Sequence, residues 1–187
     1  MAFTVLYDTC ALYPNTQRNL LIRLARTGLV RARWSAGILD ELDRALAERP
    51  VAQDKRRRLF ELMNAAVPDC LVEGYEPLID GLKLPDLDDR HVLAAAIKVG
   101  AQLIVTNNLA DFPEDALASW NLYARSPDDF VLDLLGLNGR VVYACVQQIV
   151  DERRNPPESF SDVLGQLERS GLIESVAELR LGQIDGQ

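Results

Sequence analysis

The chain has 187 residues, 28 acidic and 20 basic side chains for a net charge of −8, and is 48% hydrophobic and 26% charged, values that fit a globular domain with a real core and exclude disorder, coiled coil and collagen. The first charged side chain stands at position 8 with no basic segment before it, so neither a signal peptide nor a membrane span is expected, and the cytoplasm is the expected compartment. Three widely spaced cysteines and a single histidine argue against a disulfide framework, a zinc site and Ser-His or Cys-His catalysis.

Phe3 to Tyr7 is a short apolar run, read as a buried strand with Asp8 at its carboxyl end. Tyr13-Pro14-Asn15 makes a turn, Leu20, Leu21 and Leu24 open an amphipathic helix closed by Gly28, and Leu29 to Trp34 reads as a second strand. Ser35 is a good N-cap for a helix whose stripe is Ile38, Leu39, Leu42 and Leu46. Glu41 and Asp43 flank that stripe on opposite edges while Asp40 points away, so periodicity alone leaves two candidate inward acids. A helix is expected from about Asp54 to Asn64, with Lys55, Arg56, Arg57 and Arg58 in its first turns against the macrodipole.

Cys70 to Glu73 is a candidate strand, followed by a loop. Asp86, Asp88 and Asp89 then stand ahead of the most helix-prone run in the chain and read first as a cap and first turn. On a helical wheel Asp89 shares its face with Val92, Leu93 and Ala96, the core face, where a bare carboxylate is costly unless hydrogen bonds, a cation or a raised pKa relieve it. His91 falls about 200° around from Asp89, on the side expected to face away from the acids. Gly100 ends the helix, and Gln102 to Thr106 is the clearest strand, running into Asn107, Asn108 and Asp111. Leu122 to Ala124 is a candidate last strand, with a helix opening through Pro127. The alternation of strands with longer helices predicts an α/β sandwich around a mostly parallel sheet. A change of character beyond Gly136 divides the chain into residues 1–136 and a helical extension, 137–187, with helices expected over Arg140–Arg154, Asp162–Glu168 and Ile173–Leu181.

Charge is unevenly placed. Between Gln17 and Arg58 there are 11 basic residues against five acidic, while the extension has five against eight. One face able to meet phosphates is therefore expected on an acidic body, and the extension does not suit a helix-turn-helix DNA reader. Acids gather at strand ends and helix starts: Asp8, Glu41 or Asp43, Asp86 to Asp89, and Asp111. Carboxylates sharing a crevice repel one another, and a divalent cation removes the conflict; an all-oxygen donor set suits Mg²⁺ or Mn²⁺.

Four motifs in order, Asp8 after the first strand, Trp34-Ser-x-x-Ile-Leu-x-Glu41-Leu, Asp86-x-Asp-Asp89-x-His-Val-Leu-Ala-Ala-Ala and Val105-Thr-Asn-Asn-x-x-Asp111-Phe, resemble the PIN domain, notably VapC-type toxin ribonucleases. The resemblance covers roughly residues 3 to 135 and implies a PIN-like three-layer sandwich; the tail after Gly136 resembles, more loosely, the helical extension of a VapC subgroup. It selects Glu41 over Asp43 and implies Asp8, Glu41, Asp89 and Asp111 as the catalytic and metal-binding acids, with Asp86 as an accessory metal ligand. Members often carry an Asp where this chain has Asn108, so either Asn108 or Asp111 is expected to complete the site. Also implied are Mg²⁺- or Mn²⁺-dependent endonucleolytic cleavage of single-stranded or looped RNA by metal-activated water, a VapB-like antitoxin partner and a homodimer.

From the residues themselves, Thr106 is a candidate for orienting Asp8 or water, with a structural cap as the other reading. Arg18, Arg23, Lys55 and Arg56 are candidates for phosphate contacts, and Trp34 is expected in the core. Two other readings stand beside the nuclease. One is a PIN-like RNA- or protein-binding module that has lost its metal. The other is an aspartate-nucleophile phosphatase, which needs a second Asp where this chain has Cys10.

Overall fold

The computed structural model describes residues 3–184. Five strands, β1 (Phe3–Tyr7), β2 (Val30–Ser35), β3 (Leu71–Val72), β4 (Leu103–Val105) and β5 (Tyr123–Arg125), form one sheet in the order β3-β2-β1-β4-β5. Every pairing is parallel, so the mostly parallel sheet expected from the alternation of elements is all-parallel. The central strands are buried on both faces, as continuous apolar runs require: Val5, Leu6 and Tyr7, and likewise Ile104 and Val105, are inaccessible to solvent.

Helices α1 (Thr9–Leu12), α2 (Asn15–Arg26), α3 (Ala36–Ala47), α4 (Gln53–Ala66), α5 (Arg90–Lys98) and α6 (Glu114–Ala118) connect the strands. Ser35 caps α3 as expected, accepting from the Ile38 N–H. On α5 the side chains from Val92 to Ala96 are all buried; three are alanines, which lets the helix lie close to the sheet. Gly100 adopts positive φ just beyond its end, where a left-handed residue turns the chain into β4. Tyr7 stacks on Trp34 at 6.4 Å between centroids and meets Phe130 edge-on at 5.9 Å, joining the middle of the sheet to the helix after β5. Trp34 is fully buried, with Nε1 donating to Asn64 Oδ1.

In the C-terminal part a helix that opens at Pro127 passes Gly136 and breaks at Asn138 (φ −156°, ψ 76°), and a second helix follows directly, close to the start expected at Arg140; the two segments together are α7 (Pro127–Glu152). Its first half buries Phe130, Val131 and Leu134 with the sheet's core, and its second half buries Val142, Val146 and Ile149 with α8 (Phe160–Arg169) and α9 (Ile173–Ile184). The extension is fastened to α2 by polar contacts as well: Arg23 reaches Gln148 and Glu152, and Thr16 donates to Gln166 at 2.5 Å. Among the described residues no helix is long and apolar enough to cross a membrane.

Candidate functional site

The sheet order reverses between β1 and β4, and sites in open parallel sheets form beyond the carboxyl ends of the strands at such a point. Asp8 and Thr106 are the residues that follow these two strands, and the Asp8 N–H still pairs with the Val105 carbonyl at 3.1 Å. Asp8 is only 4% exposed. Burying a carboxylate demands hydrogen bonds, and it has three donors: the Thr9 N–H to Oδ1 at 2.7 Å, and the Thr106 hydroxyl at 2.8 Å and the Cys10 thiol at 3.1 Å to Oδ2. Both expected roles of Thr106 have a bond behind them: its hydroxyl donates to Asp8 and accepts the Asn108 N–H. The Cys10 thiol is pushed up to about 12 by burial and by the neighbouring Asp8 charge, so it serves Asp8 as a neutral S–H group.

From the far side, α5 brings Asp89. It occupies the N-cap position, yet its side chain makes no capping bond; the carboxylate is left for the crevice. Burial, then the charges of Asp8, Asp111, Asp86 and Glu41, push its carboxyl up to about 6. The expected three-Asp cap is thus resolved into different roles. Asp86 and Asp88 are exposed and precede the helix, with Asp86 Oδ1 accepting the Asp88 N–H at 2.9 Å. Asp111 lies on a short 3₁₀ turn, Leu109–Asp111, near enough for its charge to act on Asp89. Asn108 is exposed, and its backbone N–H bonds the Thr106 hydroxyl.

Glu41 and Asp43 part company in the structure. Glu41 turns to the crevice, taking the Thr9 hydroxyl on Oε2 at 2.6 Å and His91 Nε2 on Oε1 at 2.9 Å, whereas Asp43 pairs with Arg56 at 2.7 Å on the α3–α4 side. Burial pushes the Glu41 carboxyl up, but the bonds from His91 and Thr9 outweigh it and leave it below its ordinary value. His91 corrects the wheel: it faces an acid. A turn of about 200° from Asp89 carries it off the Asp8 flank of α5 and onto the flank that meets α3, where Glu41 waits. Burial works against its charged form, yet the Glu41 contact more than offsets this and raises its pKa.

The phosphate candidates need a second correction. Arg18 is buried and donates to the Leu12 and Tyr13 carbonyls and to Asn15, and Arg23 is buried against Asn19, Gln148 and Glu152. Arg56 is held by Asp43 and the Val51 carbonyl. Of the four, Lys55 is exposed. Sequence spacing does not distinguish a solvated arginine from one that satisfies carbonyls left over at a helix end. Sequence reasoning passes over Thr9, weighs Cys10 only as the place of a phosphatase's second acid, and turns His91 away from the acids, yet all three bond Asp8 or Glu41. Only the two polar positions after Asp8 carried any signal, since a strand's carboxyl end tends to gather site residues.

A family model described as PIN domain matches residues 4–110. The chain belongs to the PIN-domain family. A second model, described as VapC50 C-terminal domain, matches residues 127–181, from the start of α7 into α9. The chain is 43% identical over 96 residues to a protein of Mycobacterium tuberculosis named "Putative ribonuclease VapC50", a match that covers 50% of this chain and 56% of that protein; the chain thus spans about half the length of the curated relative. No solved structure matches it. As a PIN domain, the chain places its four motif regions around one crevice, at the carboxyl ends of β1 and β4 and the facing ends of α3 and α5.

The donor set can be tested for an ion on chemistry. Asp8, Asp86, Asp89 and Asp111 offer oxygen alone, and among the described residues no Lys, Arg or His pairs with any of the four. Burial first, and then four neighbouring acids, raise the Asp89 carboxyl, so its charged form is disfavoured where a cation would favour it. Hard oxygen donors with excess negative charge fit Mg²⁺ or Mn²⁺. Among the described residues no three His, Cys, Asp or Glu side chains already stand at ligand spacing, so the fit is one of chemistry and charge.

Proposed function

We propose that the chain is a Mg²⁺- or Mn²⁺-dependent endoribonuclease of VapC type, the toxin of a toxin–antitoxin pair. The observation that carries this is the gathering of Asp8, Glu41, Asp86 and Asp111 near Asp89, a partly buried carboxyl that burial first, and then these four charges, raise to about 6. The PIN-domain match and the ribonuclease in the name of the half-length relative support the same reading.

In this reading Asp8 and Asp89 are the principal holders of the ion, with Asp86 and Asp111 assisting. Asp111, whose charge reaches Asp89, suits the fourth acidic position better than the exposed Asn108. The ion, when bound, makes water a better nucleophile and offsets charge at the phosphodiester. Thr106, Cys10 and the Thr9 N–H hold Asp8 in one orientation, which removes the reorganisation that a free side chain would require. Glu41, kept ionised by its two bonds, is the acid suited to take a proton from the attacking water. Single-stranded or looped RNA is the substrate proposed, because the acids lie in a crevice at one end of the sheet that an exposed phosphodiester must enter.

Residues 1–136 are read as the nuclease unit and 137–187 as an appended unit. A VapB-like antitoxin, a homodimer and a cytoplasmic setting complete the proposal. An upstream reading frame for a small basic DNA-binding protein would support the pairing with an antitoxin. The reading is tested by titration calorimetry with Mn²⁺ together with cleavage of a single-stranded RNA. Binding and cleavage in the parent, both lost in Asp8→Asn and Asp89→Asn, are expected; a parent that neither binds Mn²⁺ nor cuts RNA sinks the proposal and favours a binding module without metal. The phosphatase reading is the poorer one, since the place of its general acid is taken by the Cys10 thiol, which is hydrogen-bonded to Asp8 itself.

A further inference from the structure

The one histidine of the chain touches the acidic crevice without being one of its acids. We propose, resting on the nuclease reading above, that His91 is the positioning residue for Glu41: its Nε2–H and the Thr9 hydroxyl each hold one carboxylate oxygen and keep Glu41 turned into the crevice. The distances are 2.9 Å and 2.6 Å. An ionised carboxylate accepts only, so the bond requires the proton on Nε2. The ring's other nitrogen, Nδ1, is buried with no hydrogen-bond partner among the described residues, as suits a bare lone pair better than a second N–H. The bond to Glu41 is therefore what fixes the ring's hydrogen bonding.

Glu41 needs such a hold. Its side chain is 29% exposed at the crevice mouth, and its charge acts unfavourably on Asp89. A long side chain beside like charges gains by swinging to water, where repulsion is screened. Two donors, from α1 and α5, oppose that swing, so Glu41 keeps a fixed place relative to Asp8 and Asp89 whether or not a cation is present.

A second observation ties the sequence to this arrangement. Gly37 lies in the first turn of α3, and a Cβ built there would stand 3.0 Å from the Tyr75 hydroxyl and 3.2 Å from His91 Nδ1. Glycine costs a helix up to about 1 kcal/mol relative to alanine, yet here it lets α3 pass directly against the imidazole. The ring thus packs with its Nδ1 edge directly against the first turn of α3, on the side where the Tyr75 hydroxyl also meets Gly37, which leaves Nε2 free to reach Glu41.

The single histidine makes the test direct, because the imidazole ¹⁵N resonances of the full chain need no assignment. At alkaline pH without metal, where the imidazole is neutral, the spectrum is expected to show the Nε2–H tautomer with a slowly exchanging proton, and Glu41→Ala is expected to abolish that protection. An Nδ1–H tautomer, or a signal indifferent to Glu41→Ala, overturns the proposal. In the kinetic arm His91→Ala is expected to lower kcat on single-stranded RNA about tenfold or more at unchanged KM. His91→Gln, whose amide N–H extends about as far as Nε2, is expected to restore most of the loss. Equal failure of the two variants at unchanged melting temperature, or full activity in His91→Ala, also overturns it. A parent that neither cuts RNA nor binds Mn²⁺ sinks the nuclease reading instead, and the imidazole spectrum still decides whether His91 holds Glu41.

Discussion

Thr106 donates its hydroxyl to Asp8 Oδ2 at 2.8 Å, tying the end of β4 to the end of β1 at the place where the sheet order reverses. The Thr106 hydroxyl oxygen in turn accepts the Asn108 N–H at 3.0 Å and lies 3.2 Å from the Cys10 thiol. One side chain therefore sets both the carboxylate and the start of the loop that carries Asp111.

Thr106→Val keeps the shape of the side chain and removes the hydroxyl. Asp8 Oδ2 is then left to a weak thiol donor in a buried setting, at a cost of about 1 to 2 kcal/mol. The expected outcome is a melting temperature lower by several degrees and RNA cleavage reduced at least tenfold, with Thr106→Ser recovering both. Thermal unfolding and initial-rate measurements on the two variants check this; activity in Thr106→Val equal to the parent would show that Asp8 does not depend on the bond.

Asp88 and Asp89 are neighbours with opposite surroundings: Asp88 is exposed and only Asp89 enters the crevice. Asp88→Asn should leave Mn²⁺-dependent cleavage largely intact, while Asp89→Asn abolishes it. A further consequence concerns stability. The Asp89 carboxyl is raised because the charged form is disfavoured, so in EDTA at neutral pH Asp89→Asn should melt a few degrees above the parent, roughly 1 kcal/mol after allowing for solvent screening. Adding millimolar Mn²⁺ should reverse the order, because only the parent binds it. Calorimetric melting of parent and variant in both buffers reads this out, and an Asp89→Asn that melts below the parent in EDTA contradicts the crowding of charges.

Residue patterning made the strands legible because their apolar runs end on polar groups: Tyr7 to Asp8 and Val105 to Thr106 mark the carboxyl edge of the sheet. Ser35 and Gly100 fixed the ends of their helices by local chemistry that needs no tertiary partner. His91 was misplaced for a different reason. A helical wheel gives the angle between two side chains on one helix, not which neighbour each flank meets, and α5 has acids on both. The burial of Arg18 was likewise invisible, since its partners are carbonyls of the preceding turn. In α7, the change expected beyond Gly136 was legible because Gly136-Leu-Asn-Gly139 is poor in helix formers, and the break falls at Asn138 within it.

Arg18 and Arg23 separate a structural from a nucleic-acid role. Both are buried and bonded internally, so Arg18→Met and Arg23→Met should lower stability by about 2 to 4 kcal/mol through the unpaired acceptors left behind. The salt dependence of RNA binding should stay that of the parent. Lys55, exposed at the start of α4, is the contrasting case: Lys55→Ala should leave the melting temperature unchanged, and if it meets a phosphate the slope of log affinity against log salt falls by about one. Fluorescence anisotropy with a catalytically inactive Asp89→Asn background, at four salt concentrations, compares them. A reduced slope in Arg18→Met at unchanged stability would restore that residue as a phosphate contact.

Asp128 joins the extension to the body, and its titration has a defined sign. Its carboxylate accepts the backbone N–H groups of Ile173, Glu174 and Ser175 at 2.9 to 3.0 Å, capping α9, while the Ser175 hydroxyl donates to the Asp128 carbonyl. Burial pushes the Asp128 carboxyl up, but the bonds from Ser175, Glu174 and Ile173 outweigh it and hold it below its ordinary value. A group with a depressed folded pKa stabilises fully above its unfolded value, near about 3.9, and that stability is lost as pH falls through the folded value. The attachment of α9 should therefore be constant from neutral pH to about 5 and weaken below about 4. Asp128→Asn, which keeps one acceptor oxygen and no charge, should cost about 1 kcal/mol at pH 7 and remove this group's part of the acid dependence. Melting curves of parent and variant from pH 3 to 7 give the comparison: a gap that closes as the pH falls supports the cap, and one that widens assigns the acid sensitivity to other carboxylates.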